Sequence, residues 1–325
     1  MDHLKEAPDY LQDDHLSRGT KAYLKVLNGG APVESLPVGE ARRVLADVQA
    51  AVHVDLSGIE ESERTVESEG HTLRLNLVRP SGAGRGYLPA FVFIHGGGWV
   101  LGDYPTHRRL VRDLVVESGC AAVFVNYTPS PEAHFPKAVE EVYAAVKWVA
   151  ENGREIGVDG SRLALAGNSV GGNMSLAAAL VAEDHGGPRT LVLMWPVTDA
   201  GYDWDSYVKY GRQRFLTAPL MKWMFGKYVS DPAQRGNDLM SPVRASAERL
   251  RGLPATLIVV AENDILRDEG EAMGRRLDEA GVEVTTVRFN GVVHDWGMLN
   301  GFAALHPTRT LIRLVGSVLR DYLEK

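Results

Sequence analysis

The spacing of apolar and polar positions changes along this chain and predicts its elements. From residue 90 onward, short runs of apolar residues alternate with longer segments in which apolar residues recur every three or four positions. Strands that are apolar throughout are typical of a parallel sheet covered by helices on both faces. Six such strands are predicted, at residues 90–94, 120–126, 163–166, 190–195, 255–261 and 284–289.

The amphipathic segments predict helices at residues 106–118, 136–152, 170–183, 268–280 and 306–323. Two further helices, 15–27 and 38–52, are predicted before any strand. Between these helices and residue 90, the segments 63–67 and 72–79 indicate an antiparallel strand pair, since the second has apolar residues at every other position. The sequence therefore predicts an α/β fold with a mostly parallel, eight-stranded sheet.

The alternation of strands and helices stops between residues 199 and 250, where aromatic residues are concentrated. Together with the N-terminal helices, this segment is expected to form a helical cap over the carboxyl ends of the strands, the side on which open α/β sheets bind ligands. The predicted domains are cap helices in 1–55, a core in 56–198, a cap insertion in 199–250 and the rest of the core in 251–325.

Composition narrows the class of protein. The chain has 325 residues, is 45% hydrophobic and carries a formal net charge of -7 without a block of Lys or Arg, so nucleic acid is not an expected partner. Its N-terminus is polar, and no run of eighteen apolar residues predicts a membrane span. We expect a soluble, cytoplasmic protein. The single cysteine, Cys120, lies in an apolar run and is predicted to be a core thiol.

A candidate nucleophile lies at the corner between the strand 163–166 and the next helix. Gly167, Ser169 and Gly171 form the pattern G-x-S-x-G, in which a strained turn directs the serine hydroxyl out of the sheet. The hydroxyl also lies at the positive end of the following helix, which stabilises a developing negative charge. The alternative is a glycine-rich turn whose serine only caps the helix.

A serine nucleophile requires a base, and the base requires an acid that orients it. His294 closely follows the last predicted strand, and Asp264 follows the strand 255–261, so both would meet Ser169 at one edge of the sheet. Asp268 is the competing acid, but it begins a predicted helix, where a carboxylate caps amide groups. Asp295, next to the histidine, is expected to point elsewhere.

Three successive glycines follow the strand 90–94. In the stretch from His95 to Trp99, the three glycines can bring their amide groups close to a ligand, as an oxyanion requires, with the amide of Val170 as a further donor. A phosphate-binding loop is the alternative, but neither of its common glycine patterns is present here. His95 is expected to order this loop through hydrogen bonds.

These motifs resemble the hormone-sensitive-lipase-like branch of the α/β-hydrolase esterases. The resemblance rests on H-G-G-G-W at 95–99, Tyr127 with P-E-A-H-F-P at 131–136, G-N-S-V-G-G-N at 167–173, D-I-L-R-D-E-G at 264–270, and His294. It implies an α/β-hydrolase fold with Ser169 as nucleophile, His294 as general base and Asp264 as orienting acid. The same resemblance implies an oxyanion hole formed by the amides of Gly97, Gly98 and Val170. It also implies a preference for short acyl chains and a homodimer formed through the strand 284–289.

The chain departs from the usual pattern of that family at several positions. Asn168 and Val170 stand where Asp or Thr and Ala are common, and Asp295 and Trp296 stand where Gly-Phe is frequent. None of these changes removes a reacting atom. The bulk of Val170, Trp99 and Trp296 is predicted to shape the substrate pocket.

The motifs together predict a serine carboxylic-ester hydrolase that works through an acyl-enzyme on a small-molecule ester, without a metal or an organic cofactor. Its kcat/KM is expected to fall in acid with an apparent pKa near 6.5, the ordinary value for histidine. An amide or formamide hydrolase resembling arylformamidases remains an alternative. A non-catalytic small-molecule receptor on the same fold is another.

Overall fold

Five of the six strands predicted from residue 90 onward form the buried centre of a sheet, whereas the strand predicted at 284–289 lies at its edge and is only partly buried, because its outer side has no neighbouring strand. The computed structural model describes residues 5–84, 86–182 and 187–324. Within these ranges the sheet has eight strands: β1 (Ile59–Ser68), β2 (His71–Pro80), β3 (Leu88–Ile94), β4 (Ala121–Asn126), β5 (Val158–Asn168), β6 (Thr190–Met194), β7 (Ala255–Asn263) and β8 (Val284–Val293).

The strands lie in the order β1-β2-β4-β3-β5-β6-β7-β8. The pairs β1–β2 and β2–β4 are antiparallel and the other pairs are parallel, so the predicted sheet is confirmed, including its antiparallel edge. The edge strand β1 is rich in charged, exposed residues, which protects its unpaired side from aggregation. At the opposite edge, β8 pairs with β7 and, at Gly291, forms an isolated parallel bridge with Leu16. The homodimer through β8 stays a prediction.

Seven helices follow the predicted positions within a few residues: α1 (Arg18–Leu27), α2 (Val38–Ala50), α3 (Tyr104–Ser118), α4 (Lys137–Asn152), α5 (Val170–Val181), α9 (Arg267–Glu279) and α10 (His306–Leu323). Within 199–250, where no individual helices were predicted, the structure has α6 (Asp205–Lys209), α7 (Ala218–Tyr228) and α8 (Ala247–Leu250). The predicted end of α5 at residue 183, and the first four residues of the predicted cap segment, lie outside the described residues.

The strand order distributes the helices over both faces of the sheet. The connection from β3 to β4 runs in one direction across the sheet, whereas those from β4 to β5 and from β5 to β6 run in the other. Because such crossovers are right-handed, α3 covers one face while α4 and α5 cover the opposite one. Accordingly, α10 packs against α3, and α4 packs against α5. None of the helices in the described ranges has the length and apolar character needed to cross a membrane.

The parallel strands bring four loops to one edge of the sheet. The glycine loop follows β3, Ser169 follows β5, Asp264 follows β7 and His294 follows β8. Since the carboxyl ends of parallel strands lie at the same edge, residues more than 100 positions apart along the chain meet there. Cys120 precedes β4 and is buried, as predicted, and burial raises the pKa of its thiol.

Candidate active site

Ser169 lies between the end of β5 and the start of α5, in a backbone conformation that is rare for a residue with a side chain. Its φ is 56° and its ψ is -122°. The amide of Ser169 donates to the Met194 carbonyl at 2.9 Å, and the amide of Val197 donates to the Ser169 carbonyl at 3.1 Å. These bonds to the segment around the end of β6 hold the strained turn in place.

The glycines of the G-x-S-x-G pattern allow the backbone segments to approach one another closely. A Cβ atom added to Gly171 would lie 2.0 Å from the carbonyl oxygen of Ile94, at the end of β3. One added to Gly167 would lie 2.4 Å from the carbonyl carbon of Gly171. Both contacts are with backbone, which cannot move aside as a side chain can, so a larger residue would separate the helix from the sheet.

The structure brings the three predicted triad side chains together. His294 Nε2 lies 3.0 Å from Ser169 Oγ, and His294 Nδ1 lies 2.7 Å from Asp264 Oδ2. The amide of Leu266 donates to Asp264 Oδ1 at 3.0 Å, which fixes the orientation of the carboxylate. All three side chains are buried. This arrangement allows proton transfer from the hydroxyl to the imidazole.

Two opposing effects act on the pKa of His294. Burial alone would lower the pKa of the imidazole, because a charged ring loses its hydration. The carboxylates of Asp264 and Asp295, with the hydrogen bond to Asp264, outweigh burial and raise the pKa above the ordinary 6.5. The imidazolium is therefore more stable here than in water.

The two other acids near the triad occupy different positions from those expected. Asp268 does not cap the amides of its own helix α9. It accepts from the amide of Ser206 at 2.8 Å and pairs with Arg267. Asp295 was expected to point elsewhere, but its Oδ2 lies 3.8 Å from His294 Nε2. Its left-handed backbone, with φ 58°, turns its side chain back toward the imidazole, which corrects the sequence-based prediction.

The glycine loop after β3 presents amide groups next to Ser169. Gly97 has φ 109° and Gly98 has φ 63°, values that favour glycine. Among the described residues, the amides of Gly97, Gly98 and Val170 donate to no protein acceptor. Gly97 and Gly98 line the same cavity as Ser169 and His294. These amides can therefore serve as donors to a bound ligand.

His95 orders the loop as predicted, through hydrogen bonds. Its Nδ1 donates to the Gly96 carbonyl at 2.8 Å, while the Tyr127 hydroxyl donates to the His95 carbonyl at 3.1 Å. The Tyr127 ring stacks on the imidazole at a centroid distance of 4.2 Å. Burial lowers the pKa of His95 to about 4, so the ring is neutral near pH 7.

A cavity of about 560 Å³ contains Ser169 and His294 on its wall. Most of its lining is apolar and comes from α2 and from the segment that includes α7: Val44, Leu45, Val48, Phe215, Leu220 and Met224. A Cβ atom added to Gly98 would lie 2.0 Å from Met224 Sδ, so α7 packs directly on the glycine loop. No sequence motif marked the lining residues of α2 and α7, because their spacing is that of ordinary helices.

The two tryptophans predicted to shape the pocket do not reach its wall. Trp99 is fully buried and stacks on Tyr228 at a centroid distance of 4.2 Å. Trp296 is also fully buried and packs against Trp195, 4.4 Å between ring centroids. Neither lines the cavity, so the structure corrects the prediction for both: each indole packs in the core behind the loop that carries it. Val170, the third bulky residue, is buried too and does not line it either.

The described residues hold no cluster of three or more His, Cys, Asp or Glu side chains suited to a metal ion.

The strand order and the sharp strand-to-helix turn at Ser169 define an α/β hydrolase. The family model for the alpha/beta hydrolase fold matches residues 91–298, and the chain belongs to this family.

Named relatives agree with this assignment. The chain is 33% identical over 293 residues to the ethyl acetate hydrolase of Pseudomonas putida, covering 85% of this chain and 90% of that protein. It is 34% identical over 249 residues to the carboxylesterase NlhH of Mycobacterium tuberculosis, covering 75% and 77%. A solved structure of a thermostable esterase from Pseudomonas putida ECU1011 has a TM-score of 0.93 at 51% identity, covering 95% of this chain and 98% of that one. The predicted resemblance to the hormone-sensitive-lipase-like esterases is confirmed.

Proposed function

We propose that this protein is a serine carboxylic-ester hydrolase in which Ser169 is the nucleophile, His294 the general base and Asp264 the orienting acid. The observation that carries the proposal is the continuous hydrogen-bonded chain from Ser169 Oγ through the imidazole to Asp264, with distances of 3.0 and 2.7 Å. The names of its relatives, which include an ethyl acetate hydrolase and a carboxylesterase, support the same class of reaction.

The reaction has two halves. In the first, Ser169 Oγ attacks the ester carbonyl carbon while its proton moves to His294 Nε2, and the resulting oxyanion accepts hydrogen bonds from the amides of Gly97, Gly98 and Val170. The C–O bond to the alcohol then breaks, and the alcohol leaves with the proton from Nε2. In the second half, water attacks the acyl-enzyme, His294 again takes a proton, and the carboxylic acid departs as Ser169 is restored.

Short acyl chains are the proposed substrates. The cavity volume of about 560 Å³ is shared between the acyl and alcohol groups of an ester, and its mainly apolar lining suits small uncharged groups. We further propose that the helices within 1–55 and 199–250 act as a cap, since residues of both segments line this cavity.

Substitution of the nucleophile tests the proposal. Ser169→Ala should reduce hydrolysis of p-nitrophenyl acetate and butyrate to the background rate and abolish labelling by a fluorophosphonate. Ser175→Ala is the matched control, because this serine is also buried on α5 but its hydroxyl donates to the Gly171 carbonyl, away from the imidazole. The control should retain most of the turnover.

The same assay separates the rival functions. An acyl-chain series should give the highest kcat/KM at two to four carbons, and a long-chain optimum would contradict the short-chain preference. Faster turnover of a formanilide than of the matching ester would favour an amide hydrolase. Undiminished ester turnover by Ser169→Ala would overturn the mechanism. Failure of the fluorophosphonate to label the wild-type protein would favour a non-catalytic receptor.

A further inference from the structure

A buried hydrogen-bonded bridge connects the loop of the base to the glycine loop. Asn168, the last residue of β5, accepts at its Oδ1 from the amide of Gly96 at 2.9 Å. Its Nδ2 donates to Asp295 Oδ1, also at 2.9 Å. Asp295 Oδ1 accepts a second bond from Trp195 Nε1 at 2.6 Å. The reaction proposed above uses neither Asn168 nor Asp295.

The bridge fits its surroundings tightly. Asn168 and Trp195 are fully buried, and Asp295 is 4% exposed. A Cβ atom added to Gly96 would lie 2.6 Å from Asn168 Nδ2, so the backbone of the glycine loop rests directly on the amide group. A shift of the Asn168 side chain would therefore move the loop whose next two residues carry amide donors.

Position 168 favours an amide over a carboxylate. The side chain there accepts from a backbone N–H on one side and donates to a carboxylate on the other, and an amide does both without a change of protonation. An ionised aspartate there could only accept. Its carboxylate would also meet the Asp295 carboxylate at hydrogen-bond distance, where two like charges cannot both be ionised at low cost.

Asp295 also contacts the base from the side of the nucleophile. Its Oδ2 lies 3.8 Å from His294 Nε2, and it lines the cavity together with Ser169. Asp264 pairs with the other ring nitrogen. Asp264 and Asp295 are the charged groups that act on the pKa of His294, and both raise it. The imidazolium that forms as Ser169 loses its proton would thus lie between two carboxylates.

We propose that Asn168 and Asp295 are a pair of positioning residues. Asn168 holds the glycine loop against the loop of the base, and the Asp295 carboxylate stabilises the protonated imidazole of His294. The pair couples the two halves of the site, because a movement of either loop breaks the shared bridge. The inference rests on the proposed ester hydrolysis, and its test includes a measurement that does not need turnover.

The first test removes the charge of Asp295 and keeps its shape. In Asp295→Asn the side-chain oxygen can still accept from Asn168 and Trp195. NMR titration of the His294 ring should therefore give a lower pKa than in the wild type, and the acid limb of kcat/KM should shift to lower pH by the same amount. Asp278→Asn is the control for net charge, since Asp278 is exposed on α9, and it should leave both unchanged. An unaltered His294 pKa in Asp295→Asn would overturn the proposal.

The second test measures coupling. Asn168→Asp should lower kcat/KM by about 10²-fold, the order expected when an oxyanion donor is displaced. In the Asp295→Asn background, the loss of kcat/KM caused by Asn168→Asp should be smaller by at least about tenfold, because the repulsion between the two carboxylates is gone. If Asn168→Asp alone does not fold, a double variant that does fold would show the same coupling, measured as stability instead of turnover.

A double variant that recovers neither folding nor turnover relative to Asn168→Asp would overturn the coupling. The two proposals fail separately. If Ser169→Ala matches the wild type in ester turnover, the proposed function is wrong, while the His294 titration and the comparative stability of the Asn168 variants still report on the pair.

Discussion

His294 is buried and lies between two carboxylates. Burial opposes charge on the ring, and the two acids favour it. The balance decides at which pH the base is available, because only the neutral imidazole can accept the Ser169 proton. The surroundings of this ring thus set the pH range in which the proposed reaction can proceed.

The direction of the pKa shift leads to a prediction for the pH profile. The pKa of His294 is raised above 6.5, so the ring becomes protonated at a higher pH than an ordinary histidine, and kcat/KM should decline on acidification with its midpoint above 6.5. This revises the midpoint near 6.5 that the sequence alone predicted. Steady-state kinetics from pH 5 to 9 on p-nitrophenyl butyrate would measure it. Asp268→Asn, which removes a carboxylate paired with Arg267, should leave the midpoint unchanged. A midpoint at or below 6.5 in the wild type would contradict this account.

The residues that meet at the site were predictable to different degrees. Ser169 and Asp264 could be located because each directly follows a strand with a clear apolar pattern. His294 could be located because it closely follows the last predicted strand, although that strand is only partly apolar. The direction of the Asp295 side chain could not be predicted. It depends on a left-handed backbone conformation, which a sequence indicates only where it has a glycine. Asn168 stood out as an unusual residue, but its partner is 127 positions away and only the fold brings them together.

Close contacts between the backbones of neighbouring helices and strands determine where the site lies. Helix α5 begins directly after Ser169 and packs against the end of β3, and only glycine at position 171 leaves room for the Ile94 carbonyl. The buried strands were predicted well because burial on both faces makes them uniformly apolar. Their ends were predicted less well: β5 begins at Val158, five residues before the apolar run, because backbone pairing continues through polar residues.

A pair of glycine substitutions tests this packing. Gly171→Ala should lower the free energy of unfolding by about 1–3 kcal/mol, since its Cβ would lie 2.0 Å from a backbone oxygen that cannot give way. Gly226→Ala is the matched control in helix α7, where an added Cβ meets no atom within 4 Å. It should stabilise the protein by about 0.5–1 kcal/mol through helix propensity.

Urea unfolding followed by circular dichroism would measure both changes, and turnover should fall only in the Gly171 variant. Equal effects of the two substitutions on stability would mean that the contact between α5 and the end of β3 can relax enough to admit a methyl group.

The N-terminal segment and the segment 199–250 are joined by polar contacts. The Ala7 amide donates to the Lys209 carbonyl at 2.8 Å. Arg214 Nη2 lies 2.7 Å from Asp13 Oδ2, and both side chains are almost completely buried. The sequence predicted both segments as a cap from interrupted periodicity, but not this ion pair, which joins residues 201 positions apart. Because both segments line the cavity, we expect contacts between them to affect how open it is.

Asp13→Asn should therefore loosen this connection, because it leaves the Arg214 guanidinium buried without a compensating charge, at a cost of roughly 3 kcal/mol. The expected results are a lower Tm, faster proteolysis of the N-terminal segment and a higher KM for esters that fill the cavity, with kcat changed less because Ser169 and His294 are not touched. Asp14→Asn is the matched control, since its side chain is exposed one position along, and surface substitutions usually change stability by about 0.5 kcal/mol or less. If the two variants unfold at the same temperature and are cleaved at the same rate, the ion pair does not hold the segments together, and closure of the cavity must depend on the apolar contacts of α2 and α7 instead.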